Sequence, residues 1–281
     1  MSLSQRVEEL AKTRELKTLV VDVERIKGKF RWDDRYDGLT IEGEFWSLSD
    51  YKRKFGRIPH DRVTLWPRTI CASWRWIGEK KIHFAAEWED GGPAAFAQTM
   101  RDQIDAADII TGHYVNAADR KWLNSLFRDH GIDWPSRPKV IDTCTIARAE
   151  LGDESMTLDA LCRRFGIPTK VGKYDLEVAR AACAGDKKAQ RNIRMYNMAD
   201  VEASTGLYFH TLPFAKSHPH VAPSLGLERP TCPRCGNTEV RRDGTYSPGV
   251  FVYTRYRCDA CPKGSYFRTT QESRGPSVRA L

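Results

Sequence analysis

Four of the eight cysteines stand in two pairs, Cys232-Pro-Arg-Cys235 and Cys258-Asp-Ala-Cys261, with 22 residues between them. Two CxxC knuckles at this spacing, in a chain with no signal-peptide core, read as four thiolates around one tetrahedral Zn²⁺ rather than as a disulfide framework. A segment of about 45 residues has too little core to fold unaided, so the metal must supply the missing folding free energy. The other four, Cys71, Cys144, Cys162 and Cys183, are scattered singly among apolar neighbours and read as small core residues.

That constraint divides the chain of 281 residues. Residues 1–216 form the larger domain, 217–229 a Pro-rich linker, 230–270 the cysteine module and 271–281 a tail. The apolar fraction of 41% supports a sizeable core and disfavours global disorder. No run approaches the roughly 18 apolar residues of a spanning helix, and the polar, helix-like start has no secretory core, so the expected location is cytoplasmic, without a membrane partner. Net charge is +8 overall, and residues 217–281 hold ten Lys/Arg against five Asp/Glu. The excess suggests a polyanionic partner and lies mostly in the last quarter.

Along the larger domain, 16–22 (LKTLVVD) reads as a buried strand, and 69–77 and 81–88 as two more joined by a turn at Gly78. Residues 25–68 read as irregular, rich in charges and aromatics. A helix from about 93 to 105, a strand at 108–111, a helix at 118–130, a short strand at 140–141 and helices at 157–165 and 190–211 follow. This order predicts an α/β fold, a mixed sheet flanked by helices.

The strand at 16–22 runs into Asp22-Val23-Glu24. A period of two puts both carboxylates on one face, where they repel each other and resist burial unless a divalent cation neutralises them. Taken alone, a D-x-E is also an ordinary polar strand end. Asp119 opens the helix after ADIITGH, and Asp200 lies on the last helix with Tyr196 one turn before it on the same face.

Together VVDVE (20–24), ADIITGHYVNAADRKWL (107–123) and YNMADVEASTGLYF (196–209) resemble the 3′–5′ exonuclease superfamily of ribonuclease-H-like fold, named DEDD for its four acids, in its Tyr-bearing DEDDy branch. The resemblance spans about residues 17–212. It implies Asp22, Glu24, Asp119 and Asp200 as ligands of two Mg²⁺ or Mn²⁺, with Tyr196 orienting the attacking water. The His branch would place that residue at 195, which is Met here. One departure is GHY at 112–114, where the family commonly has GHN, and Ala118-Asp119 where it has Phe-Asp.

Two metals about 3.5–4 Å apart can stabilise both the attacking and the leaving oxygen of an in-line phosphodiester hydrolysis, and hard cations favour carboxylate oxygen. The expected activity is a metal-dependent 3′–5′ exonuclease on DNA, single-stranded first, with RNA trimming and a non-catalytic nucleic-acid scaffold as the alternatives. Weaker candidates for nucleic-acid contact are His113, which can equally satisfy a turn, and Lys170, which reads as solvated by default. Asp142 reads first as a cap.

The cysteine module, with an alternating FVYTRYR at 251–257, looks like a zinc ribbon. Arg255 and Arg257 interleave with aromatics there, a mixture that suits single-stranded nucleic acid or the solvated face of a small core. A replication or repair protein docked on the ribbon is the other expected partner. The order of nuclease, short linker and ribbon is similar to stand-alone exonucleases of bacteriophages, which would place the protein in host cytoplasm.

Overall fold

The computed structural model describes residues 17–33, 40–52, 57–169, 174–215, 230, 232, 237–247, 252–260 and 265–272. The expected N-terminal helix, the linker 217–229, Lys170, Cys235 and Cys261 lie outside these residues.

The main sheet has five strands: β1 (Thr18–Ile26), β5 (Arg68–Trp76), β6 (His83–Ala86), β7 (Ile109–Gly112) and β8 (Lys139–Asp142). Their order is β6-β5-β1-β7-β8. β5 and β6 run antiparallel to their neighbours, while β7 and β8 run parallel to β1 and to each other. This is the mixed sheet that the sequence predicts, and it is compatible with a ribonuclease-H-like fold.

β1 is central because its first half is apolar on both faces. Leu19 and Val21 pack against α1 (Gly92–Asp105) and α2 (Asp119–Asp129), with Met100, Leu123 and Phe127. Val20 points the other way, against Val201 and Tyr208. Each of these fully buried side chains contributes about 1.5–3 kcal/mol. The opposite face is covered by α6 (Lys187–Thr211), which touches β1, β5 and β7. Asp186 caps α6 through Lys188 N and Ala189 N at 2.8 and 3.0 Å. α3 (Thr143–Glu150) and α4 (Leu158–Phe165) pack beside α6, with α4 closed by Gly166 at φ 67° as its sequence predicts. α5 (Leu176–Cys183), absent from the sequence reading, packs on α6 through Ala179 and Ala182.

Residues 25–68 are not irregular. They hold a second sheet of three antiparallel strands, β2 (Gly28–Asp33), β3 (Thr40–Phe45) and β4 (Val63–Leu65), ordered β3-β2-β4. Its core is Phe30, Phe45 and Ile58, with Tyr51 edge-on to Phe30 at 4.8 Å. The alternations Phe30/Trp32 and Ile41/Phe45 that build this core are short and set among Lys, Arg, Asp and Glu, which is why the charges dominated that reading. Gly28 is required by closeness: a Cβ there would lie 2.5 Å from Leu65 O. Only Lys27 separates β1 from β2, and β1 carries a register shift between Glu24 and Arg25, beyond which it still pairs with β5 through Ile26.

The C-terminal strands β9 (Arg241–Tyr246), β10 (Tyr253–Cys258) and β11 (Ser265–Glu272) form an antiparallel sheet in the order β11-β10-β9. β11 runs two residues past the boundary at 270 expected from sequence. Among the described residues, no helix is long and apolar enough to cross a membrane.

Candidate metal centre

β7 pairs with β1 only over Thr18–Val20. Beyond Val20, β1 runs on alone on that side, and the next residues on Val20's face are the half-buried Asp22 and Glu24. The carboxyl ends of β1, β7 and β8 thus open a crevice of the kind that binds ligands in α/β sheets. Where β7 stops, Asp119 takes over: its Oδ1 accepts from Val23 N at 3.0 Å. Gly112 permits this approach, since a Cβ there would stand 2.6 Å from Val21 O.

α6 supplies the opposite wall. Asp200 faces inward from it, and carboxylate oxygens of Asp22, Glu24 and Asp200 lie within 4.8 Å of one another, a grouping fit to hold a metal ion. Asp119 is outside that trio but feels the charge of Asp200. It is 4% exposed, and burial, reinforced by Asp142 and Asp200 against the pull of its backbone hydrogen bonds, pushes its carboxyl up to about 7. A buried acid raised in this way has a carboxylate that a nearby divalent cation would stabilise. The donors are all carboxylate oxygens, the set that hard cations prefer.

Asn197, three residues before Asp200 and fully buried, donates from Nδ2 to Asp22 Oδ2 at 2.7 Å. It fixes the orientation of a carboxylate whose other oxygen can turn to a ligand. No sequence signal marks it beyond its place within YNMAD. Tyr196 sits on the same helix with its ring 6.0 Å from that of Tyr174. Tyr174 donates to Arg25 O, across the register shift of β1, and its phenol is pushed up by burial and by the charge of Glu24. A tyrosine against Glu24 from α5's approach was missed, because nothing local ties residue 174 to residue 24.

The loop between β7 and α2 is pinned by Asp142. Its Oδ1 accepts from Tyr114 N, Cys144 N and Thr145 N at 3.1, 2.9 and 3.2 Å, and its Oδ2 from Asn116 N at 2.9 Å. Asp142 is therefore the cap of α3 and a clamp on this loop. Tyr114 is held at φ 67°, a left-handed conformation that Asn tolerates far better than an aromatic residue. This is the position where the resemblance would place Asn. His113 is spent within the fold: Nδ1 meets Thr143 Oγ1 at 3.0 Å and Nε2 meets Met156 O at 2.8 Å, and burial lowers its pKa. Its ring satisfies the turn.

In the C-terminal sheet, Cys232 and Cys258 are both fully buried, in one cluster with Val240 and Phe267. Asn237 tethers them, accepting from Cys232 N at 2.9 Å and approaching Cys258 Sγ at 3.7 Å. Arg255 pairs with Asp243 at 3.2 Å and Arg257 with Asp259 at 2.9 Å, and both lie over the Tyr266 ring.

No protein-family model matches this chain, and no curated protein matches it. Among solved structures, it is similar to the family B DNA polymerase from the hyperthermophilic archaeon Pyrobaculum calidifontis, with 14% identity and a TM-score of 0.45. The match covers 85% of this chain and 32% of the polymerase chain, so this chain spans about a third of the polymerase's length.

Proposed function

We propose that the protein is a metal-dependent 3′–5′ exonuclease of the DEDDy type that hydrolyses phosphodiester bonds of DNA, single-stranded in preference to duplex. The observation that carries this reading is the convergence of Asp22, Glu24 and Asp200 within 4.8 Å at the carboxyl end of the central strand. Asp22, Glu24 and Asp200 would hold Mg²⁺ or Mn²⁺, with Asp119 supporting a second ion. Such cations supply Lewis acidity and charge stabilisation at the attacking and leaving oxygens of a phosphodiester.

The chain's own groups have separate tasks. Asn197 fixes Asp22 by its 2.7 Å hydrogen bond, and Val23 N fixes Asp119 at 3.0 Å. Tyr196, one turn before Asp200, orients the water that attacks phosphorus, as a hydrogen-bonding phenol rather than a base. In the C-terminal module, Cys232 and Cys258, with Cys235 and Cys261 of the two CxxC pairs, would hold one structural Zn²⁺ and make it a zinc ribbon. Burial of the first two in one cluster supports that assignment.

The decisive assay gives the purified protein DNA and RNA oligonucleotides, labelled at either end, with Mn²⁺ or Mg²⁺. Stepwise release of mononucleotides from the 3′ end of DNA is the expected result. Binding without cleavage would instead identify a nucleic-acid scaffold, and cleavage of RNA alone a trimming ribonuclease.

A further inference from the structure

A cleft of about 640 Å³ opens between α2 and residues 132–138, with Ile110 and Val140 among its lining residues. These lie on the sheet face that packs α1 and α2, away from α6 and its Asp200. The polar lining is Asn116, Arg120, Asn124, Ser136 and Arg137, with Trp134 beside them and no Asp or Glu. Trp134 is 60% exposed. Arg120 Nε is buried without a hydrogen-bond partner. The side chains of Asn116, Arg120, Asn124 and Arg137 make no hydrogen bond or ion pair with another described residue.

Two other basic hollows behave differently. In one, Arg68 grips Glu87 through two bonds of 2.8 Å; in another, Arg194 stands 3.9 Å from Glu89. Both of those hollows hold carboxylates, Glu89 and Asp90 in one and Glu87 and Asp129 in the other, whereas the cleft beside Trp134 is lined by none. The cleft wall is nonetheless held in place. Ser136 donates from N to Asp105 Oδ1 at 2.7 Å and from Oγ to Asp105 O at 3.1 Å, and Arg101 Nε reaches Asp133 O at 3.4 Å. Asp105 is thereby committed to Ser136 and Arg101.

Two unanswered guanidinium groups call for an anion with several oxygens, and phosphate matches their planar donors. An exposed indole offers a stacking face to a flat ring, and primary amides donate and accept at a heteroaromatic edge. The volume falls within the range of small-molecule sites. We propose that this cleft binds one nucleotide unit, its base on Trp134 and its phosphate on Arg120 and Arg137, at a site separate from the acid cluster. Asn116 lies three residues before Asp119, in the loop that leads into α2. The unit is therefore either a free nucleotide or one residue of a strand whose end lies in the crevice.

The test is calorimetric titration of the full chain in EDTA with AMP, adenosine, inorganic phosphate and a short 5′-phosphorylated oligodeoxyadenylate. AMP is expected to bind with Kd below about 1 mM, and more tightly than adenosine or phosphate. Trp134→Ala, Arg120→Gln and Arg137→Gln should each weaken it about tenfold or more, with thermal melts confirming the fold. Arg137 is exposed, so its replacement tests the site even if Arg120→Gln does not fold. An oligonucleotide that displaces AMP identifies a strand site, and one that does not identifies a free-nucleotide site. Asp22→Asn should leave AMP binding intact while abolishing hydrolysis, so failure here is distinct from failure of the nuclease reading. Absence of AMP binding, equal binding of AMP and phosphate, or indifference to Trp134→Ala and Arg137→Gln would overturn the proposal.

Discussion

The acid crevice and the C-terminal sheet are both dense in charge, but they arrange it in opposite ways. At the end of β1, acids converge on acids: three carboxylates within 4.8 Å, and a fourth pushed up to about 7 by burial and by its neighbours. In the C-terminal sheet, cations meet their complements. Arg241 reaches Asp243 and Asp259, Arg255 meets Asp243, Arg257 meets Asp259, and Arg268 stacks on Tyr253 at 3.8 Å. Gathering like charge costs free energy that a bound cation repays, whereas matched charge is complete without a ligand. The first arrangement could hold a cation; in the second the charges are matched within the fold.

The sharpest break between the two comes from removing acids. Asp22→Asn or Asp200→Asn should lower hydrolysis by about 10³-fold or more while circular dichroism stays unchanged. A rate near that of the intact protein in both variants would end the comparison. Next in size, on the proposed zinc site, Cys258→Ser should unfold the C-terminal sheet, since loss of a structural zinc would remove much of roughly 10–16 kcal/mol of folding energy. Limited proteolysis should then cut after residue 230 and leave the larger domain whole, with zinc content lost.

Smaller effects refine the picture. Asn197→Ala should weaken Mn²⁺ binding about 10–100-fold by releasing Asp22, and unchanged affinity would deny the orienting role of that 2.7 Å bond. In cation-free protein, the raised carboxyl of Asp119 binds its proton more tightly when folded than when unfolded. Its contribution to stability is therefore full below about pH 4 and fades as pH rises through about 7. A divalent cation opposes that loss, so Mn²⁺ should raise Tm more at about pH 8 than at about pH 5; the reverse order would show that Asp119 does not feel the ion. Least of all, Arg257→Gln should cost about 1 kcal/mol, as expected of an ion pair at the partly exposed surface.

The strands of the main sheet and four of the helices of the larger domain were legible because they carry their own period or cap, whereas α3 and α5, only eight residues each, were not read. The LVV run of β1, the amphipathic face of α2 and Gly166 behind α4 declare themselves within a few residues. The small sheet β3-β2-β4 was not legible, because its core is three side chains at positions 30, 45 and 58 with charges between them. Nor was the fate of His113. Its partners, Thr143 and Met156, are 30 and 43 residues away.

The sequence by itself determined on which elements the candidate acids and Tyr196 stand, since strand period and helix turn are local. It set Asp22 beside Glu24 and Tyr196 one turn before Asp200. Only the tertiary structure decided that β7 ends short of Asp22, that Asp119 fills the gap at Val23, and that Asn197 holds Asp22 from across the crevice. Those contacts join residues up to 175 positions apart. Their geometry depends on how helices settle on a twisted sheet, and a linear chain carries no local signal of that.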